Sequence, residues 1–194
     1  VYSRNVKSKQ FTFGVSGRLY NSNVLLYDHQ TESLWSQLME TAISGPQAGT
    51  RLQKLPARRT TWKAWKRQYP QTRVLSTETG YYRDYSIDPY EGYYRLGSLM
   101  FPVGDVRTDL APKAQVLGIE INDQARAYPL SELIKDSGVI EDHLGGELVR
   151  IEVDAEGQVV DVTDADRKTV PHVYAYWFAW QAFYRETDVY RKSN

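Results

Sequence analysis

Val116-Leu117-Gly118-Ile119-Glu120-Ile121 and Ala125-Arg126-Ala127-Tyr128 flank the pair Asn122-Asp123, and this stretch reads as a β-hairpin about a tight turn. Asn and Asp tolerate the positive φ angles that a two-residue hairpin loop demands. C-terminal to it, Ser131 is placed to cap a helix of one to two turns that stops at Gly138. Val139-Ile140, a Gly145-Gly146 turn, Leu148 to Val153 and Val159 to Val162 then predict a second hairpin, closed around Ala155-Glu156-Gly157. Pro171 opens the most apolar run of the chain, Val173 to Phe183, which reads as a buried helix with Trp177, Trp180 and Tyr184 at i, i+3 and i+7.

On the N-terminal side, residues 9 to 56 also read mostly as β. Phe11, Phe13 and Val15 alternate with Thr12 and Gly14, the period of a half-buried strand. Val24 to Tyr27 forms a short apolar strand, and Ser33 to Leu38 alternates again. Ser16-Gly17, Tyr20-Asn21-Ser22-Asn23 and Ser44-Gly45-Pro46 supply turn chemistry between them. Thr60 or Thr61 caps a short helix that runs to Tyr69 and is stopped by Pro70. Its Trp62, Trp65 and Tyr69 share one face, while Lys63, Lys66 and Arg67 occupy another. Thr72 to Ser76 is expected to be a strand, and residues 78–112 a long, Tyr-rich, mostly irregular excursion. The predicted fold is therefore α+β: predominantly antiparallel sheet, with a short Trp-bearing helix, a short capped helix and a buried C-terminal aromatic helix. At 194 residues the chain suits one domain spanning 1–194.

Composition narrows the chemistry. Fifteen Tyr and five Trp against two Met point to packing and surfaces built from large amphipathic rings. The absence of cysteine removes disulfides, thiolate nucleophiles and thiolate metal ligands, and suits either redox compartment. No run approaches the ~20 apolar residues that a membrane-spanning helix needs. The chain opens on Val1 with no signal-peptide pattern and no initiating Met, so a processed or truncated product is expected.

Net charge is zero, but the charges are segregated. No acidic residue lies between Glu40 and Glu78, where Arg51, Lys54, Arg58, Arg59, Lys63, Lys66, Arg67 and Arg73 are found. From Glu141 to Asp166 the balance reverses, with Arg150 as the single base. Two arrangements fit: solvated faces that oppose or merely avoid one another, or a basic groove for an anionic ligand.

Phe11-Thr-Phe-Gly-Val-Ser-Gly17, Tyr27-Asp28, Ser33-Leu-Trp-Ser-Gln37, Gly45-Pro46, Thr61-Trp62 and Trp65 together resemble the bacterial and archaeal family called domain of unknown function 3179. Asp84-Tyr85, Asp88-Pro89-Tyr90, Ala125-Arg-Ala-Tyr-Pro-Leu130 and Trp177-Phe-Ala-Trp180 extend the resemblance over nearly the whole chain. It implies no activity. It implies an extracytoplasmic location, since members commonly look exported or lipid-anchored. It also implies an upstream Cys-Pro-Leu-Cys element and an additional copy of the segment resembling Val116 to Gly146, neither of which this sequence contains. His29 stands where an Arg is more typical of the family.

Among candidate site residues, Asp28-His29 pairs a carboxylate with an imidazole and is a conceivable acid/base. Adjacent strand residues face opposite ways, so the two are not expected to touch. Ser16, in Gly14-Val15-Ser16-Gly17, departs from the Gly-x-Ser-x-Gly elbow and reads as a tight turn. His29, His143 and His172 lack ligand spacing, and Asp161, Asp164 and Asp166 do not match a calcium loop, so no metal site is predicted. Trp35, Gln37, Arg58, Arg59 and Trp62 combine aromatic faces, an amide and guanidinium groups, which suits a small anionic or aromatic ligand. Overall neutrality speaks against nucleic acid as the partner. The sequence names no cofactor and sets no oligomeric state. The expectation is a ligand- or partner-binding module, with an enzyme or redox/metal protein completed by the upstream cysteines as the alternative.

Overall fold

The Asn122-Asp123 turn carries φ values of 49° and 61°, and the strands on either side of it are the centre of the molecule. A computed structural model describes residues 1–55, 57–135, 138–155 and 158–192. Strands β1 (Asn5–Val6) and β2 (Lys9–Gln10) form a small hairpin. Next, β3 (Phe13–Tyr20), β4 (Asn23–Asp28), β5 (Leu34–Ser36) and β6 (Thr41–Ser44) form an antiparallel meander in chain order. Helix α1 (Trp62–Gln68) and helix α2 (Glu91–Arg95) follow in the long middle segment.

The second sheet places β12 (His172–Tyr176), β7 (Gln115–Ile121), β8 (Gln124–Pro129) and β13 (Asp188–Val189) side by side in that order. Only the β13–β8 pairing is parallel; β12 and β8 flank β7 antiparallel. Between β8 and β12 come α3 (Leu130–Leu133), β9 (Gly138–Leu144), β10 (Glu147–Val153) and β11 (Val159–Thr163), the strands forming a third, antiparallel sheet. Helix α4 (Trp177–Phe183) continues directly from β12. The fold is thus α+β and predominantly antiparallel, as the sequence predicts.

The period of two on β7 divides the core. Leu117 and Ile119 join Tyr128, Leu133, Val149, Ile151 and Val162 against the third sheet. Val116 and Ala127 face the other way, onto Trp177 and Trp180 of α4. Gly118 lies on that second face because nothing larger fits: an added Cβ would stand 2.3 Å from the Trp180 ring. The meander has its own cluster around Trp35, which Phe13 and Phe11 meet edge-on at centroid distances of 5.5 and 6.2 Å. It joins the second sheet through α4. Tyr20 packs on Phe183, Asn21 donates to the Ala182 carbonyl, and the Tyr184 hydroxyl reaches both the Leu38 carbonyl and the Glu120 carboxylate.

Four expectations are corrected. Val173 to Phe183 is not one helix: 172–176 pairs with β7 as a strand, and only the Trp-bearing half is helical. An apolar run carries no period by itself, and Val173, Tyr174 and Tyr176 favour the strand. Ser131 lies inside α3, whose N-cap is Pro129, and Gly138 begins a strand rather than ending a helix. Residues 72–76 form no strand. Ser16-Gly17 is no turn between strands but a bulge within β3, where residues 16–18 stand opposite Leu25 alone. The expected alternation of burial also fails, with Val15 exposed while Phe11 is buried. Of the predicted tip Ala155-Glu156-Gly157, the last two residues lie outside the described residues, while the β10–β11 hairpin it was to close is present.

Candidate functional site

Basic segment and sheet meet at the junction of the meander with β12. A cleft of about 340 Å³ opens there, lined by Tyr2, Asn23, Gln37, Leu38, Arg58, Arg59, His172 and Tyr174, with Val1, Ala57 and Val173 completing the wall. Gln37 follows β5; its side-chain amide N–H donates to the Val24 carbonyl, and its main-chain carbonyl accepts from the Tyr2 hydroxyl. These two bonds hold the end of the meander rigid at the cleft floor. Arg58 and Arg59 arrive on the extended stretch before α1, whose start is set by Thr61 accepting from the Ala64 amide.

The two arginines are used differently. Arg58 reaches Asp161 of β11 at 2.6 Å, in an exposed pair that stabilises by no more than about 1 kcal/mol. The basic and acidic segments do therefore face one another at this point. Arg59 lies over the Tyr174 ring, 5.1 Å from its centroid, and pairs with no carboxylate among the described residues. It also borders a second concavity of about 270 Å³ with Gln115, Leu130, Gln158 and Tyr174, and the cleft beneath α1.

His172 and Tyr174 occupy alternate positions of β12 and present edge-to-face rings 5.7 Å apart. The Nδ1 of His172 lies 2.9 Å from the Val170 carbonyl; as Nδ1–H donates there, Nε2 keeps its lone pair. Burial lowers the pKa of His172 below its ordinary value, outweighing the Val170 carbonyl and the Asp161 charge. Burial likewise raises Tyr174, against the opposing charge of Arg59. At neutral pH the cleft thus presents a neutral imidazole, a neutral phenol and an unneutralised guanidinium.

Of the residues singled out in the sequence, Gln37, Arg58 and Arg59 come together here. Trp35 does not line the cleft; it is fully buried and donates its Nε1–H to Asp28 at 2.8 Å. Trp62 stands on the outer face of α1 and is half exposed. Asp28 and His29 face opposite ways, as their adjacency requires. Asp28 is buried: burial would raise its pKa, but bonds from Trp35, Thr31 and Ser33 hold it below the usual carboxylate range. His29 is exposed against the Tyr27 ring, at 4.8 Å. The Ser16 hydroxyl donates to the Leu25 carbonyl inside the bulge. Among the described residues no group of three His, Asp or Glu side chains gathers that could hold a metal ion, and no helix is long and apolar enough to cross a membrane.

The sequence alone does not single out Tyr2, Asn23 or Tyr174, and it offers His172 only as a histidine without ligand spacing. The signal for the last two was the spacing His172-x-Tyr174, which places two polar rings on one strand face and becomes visible once the run is read as β rather than helix.

Two antiparallel sheets and one mixed sheet, joined through the aromatic helix α4 and with a cationic cleft beside β12, define a β-rich α+β protein. A family model described as protein of unknown function, DUF3179, matches residues 1–187, and the chain belongs to that family. No curated protein and no solved structure matches it.

Proposed function

We propose that the chain is a binding module for a small anionic ligand, planar aromatic anions included, received in the cleft beside Arg59. The supporting observation is that Arg59 is fixed over Tyr174 without a carboxylate of its own, at the wall of a hollow of about 340 Å³. That volume falls in the range of small-molecule pockets. A guanidinium held on an aromatic face keeps its in-plane N–H donors free for a bidentate carboxylate or phosphate. Gln37 gives the floor of the cleft a fixed amide, and Arg58 adds a second cation at the rim. An extracytoplasmic location belongs to the same reading: a cysteine-free chain folds in either redox environment, and the family resemblance points outside the cytoplasm.

Thermal unfolding with phosphate, citrate and benzoate, on the native chain and on Arg59→Gln, tests this. A rise in Tm with at least one anion, lost in the variant, is the expected result. No rise with any of the three, or an equal rise in both proteins, overturns it.

The alternative, an enzyme, draws support from His172, a neutral imidazole with Nδ1 anchored and Nε2 unblocked, which is the state a general base requires. It predicts that turnover by the protein follows a pH profile that His172→Gln abolishes while anion binding survives.

A further inference from the structure

Helix α1 has no buried residue. It borders a cleft of about 460 Å³ against Asp154, Gln158 and Val160, where Trp65 and Tyr69 stand beside Lys63 and Arg67. Trp62 and Lys66 lie off that cleft, on the side of the helix away from it. Trp62 is 50% exposed, Trp65 40% and Tyr69 46%. The surrounding chain does nothing to cover them: none of residues 57–115 is buried, and Leu75, Tyr81 and Tyr82 are exposed still further. Surfaces of this kind on soluble chains mark contact sites.

We infer that this exposed aromatic surface docks on an anionic lipid surface. Two features select that occupant. The rings are Trp and Tyr, whose apolar bodies and polar edges suit the headgroup boundary better than a dry protein interface. Cations accompany them: Lys66 and Arg73 flank the rings in sequence, no acidic residue occurs between Glu40 and Glu78, and neither cation has an ion-pair partner among the described residues. Basic groups beside interfacial aromatics favour anionic over zwitterionic headgroups. Trp65 is held ready by its Nε1–H, which donates to the Thr72 hydroxyl at 2.9 Å. Arg59 also lines the cleft beneath α1, but none of Trp62, Trp65, Lys66, Tyr69 and Arg73 borders the hollow beside His172, so the inference does not rest on anion binding there.

The experiment is co-sedimentation with vesicles of phosphatidylcholine alone and of phosphatidylcholine mixed with phosphatidylglycerol, at low and physiological salt. Trp35, Trp177 and Trp180 are buried, so quenching of Trp emission by brominated lipid chains reports on Trp62 and Trp65. The expected result is binding to the mixed vesicles that weakens with salt, with quenching. Lys66→Glu with Arg73→Glu should weaken it by about tenfold or more, and Trp62→Ala with Trp65→Ala should abolish it. None of these four residues is buried, so all variants should keep the native Tm. The proposal is overturned by absence of binding at low salt, by equal binding of the variants, or by binding without quenching. Self-association lost in the Trp variants, with no lipid binding, overturns it in favour of a second copy of the chain.

Discussion

The strand-rich frame and the middle segment draw on the same unusual supply of aromatic rings and use it in opposite ways. In the frame, Trp35 and Trp180 are buried and their Nε1–H groups donate to Asp28 and Thr187. In the middle segment Trp62 and Trp65 lie in the open on a helix with no buried residue. A ring at i, i+3 spacing therefore says nothing about burial until the partner surface is known. Helix α4 has a sheet carrying Gly118 to lie on; α1 has an open cleft against the ends of β10 and β11, and none of its residues is buried there.

The contrast can be broken by removing rings. Trp35→Ala leaves a void beside Phe11 and Phe13 and strands Asp28 without one of its donors, so a loss of about 3–5 kcal/mol is expected in denaturant unfolding. Gly118→Ala drives a methyl into the Trp180 ring and should cost about 1–3 kcal/mol by the same measurement. If it costs nothing, the α4 contact is looser than the structure indicates.

Acid should weaken the frame by a path the middle segment does not share. The folded-state pKa of His172 lies below 6.5, so the unfolded chain binds the proton more tightly. Stability is then full above about pH 6.5 and falls as pH drops towards the folded value. His172→Gln should flatten that part of the stability–pH curve. A further loss below about pH 4 is expected as Asp28, with its lowered pKa, takes up a proton, and Asp28→Asn should remove that slope. The smallest effect sharpens the contrast most: Trp62→Ala should change unfolding free energy by less than about 0.5 kcal/mol. A cost near that of Trp35→Ala would show that α1 is part of the packed frame.

Turn chemistry made the frame legible in the sequence. Asn21, Asn122-Asp123 and Gly145-Gly146 all adopt the positive φ values that their residue types foretell, Ser22 joins Asn21 in doing so, and the hairpins follow from them. Run 173–183 was misread because a strand with both faces partly covered and a buried helix share the same unbroken apolar pattern. That error also hid half the candidate site: His172 and Tyr174 meet Arg59 only through a pairing of 172–176 with β7 that local sequence cannot specify. Gln37, Arg58 and Arg59 were within reach because their chemistry is visible without knowing what they face. Trp35 was read as a ligand contact because its indole bond to Asp28, seven residues away, depends on the β4–β5 register.

The bulge in β3 has a consequence for the molecule in company. β3 is an outer strand of eight residues, long enough to invite a neighbouring chain to add itself as a further strand. At Ser16-Gly17-Arg18 the backbone swings out of register, with Gly17 at φ 73°, and the Ser16 hydroxyl turns inward to the Leu25 carbonyl. Arg18 adds a charge at the bend. A would-be partner strand meets a broken template part-way along, so this margin resists the runaway stacking that leads to fibrils.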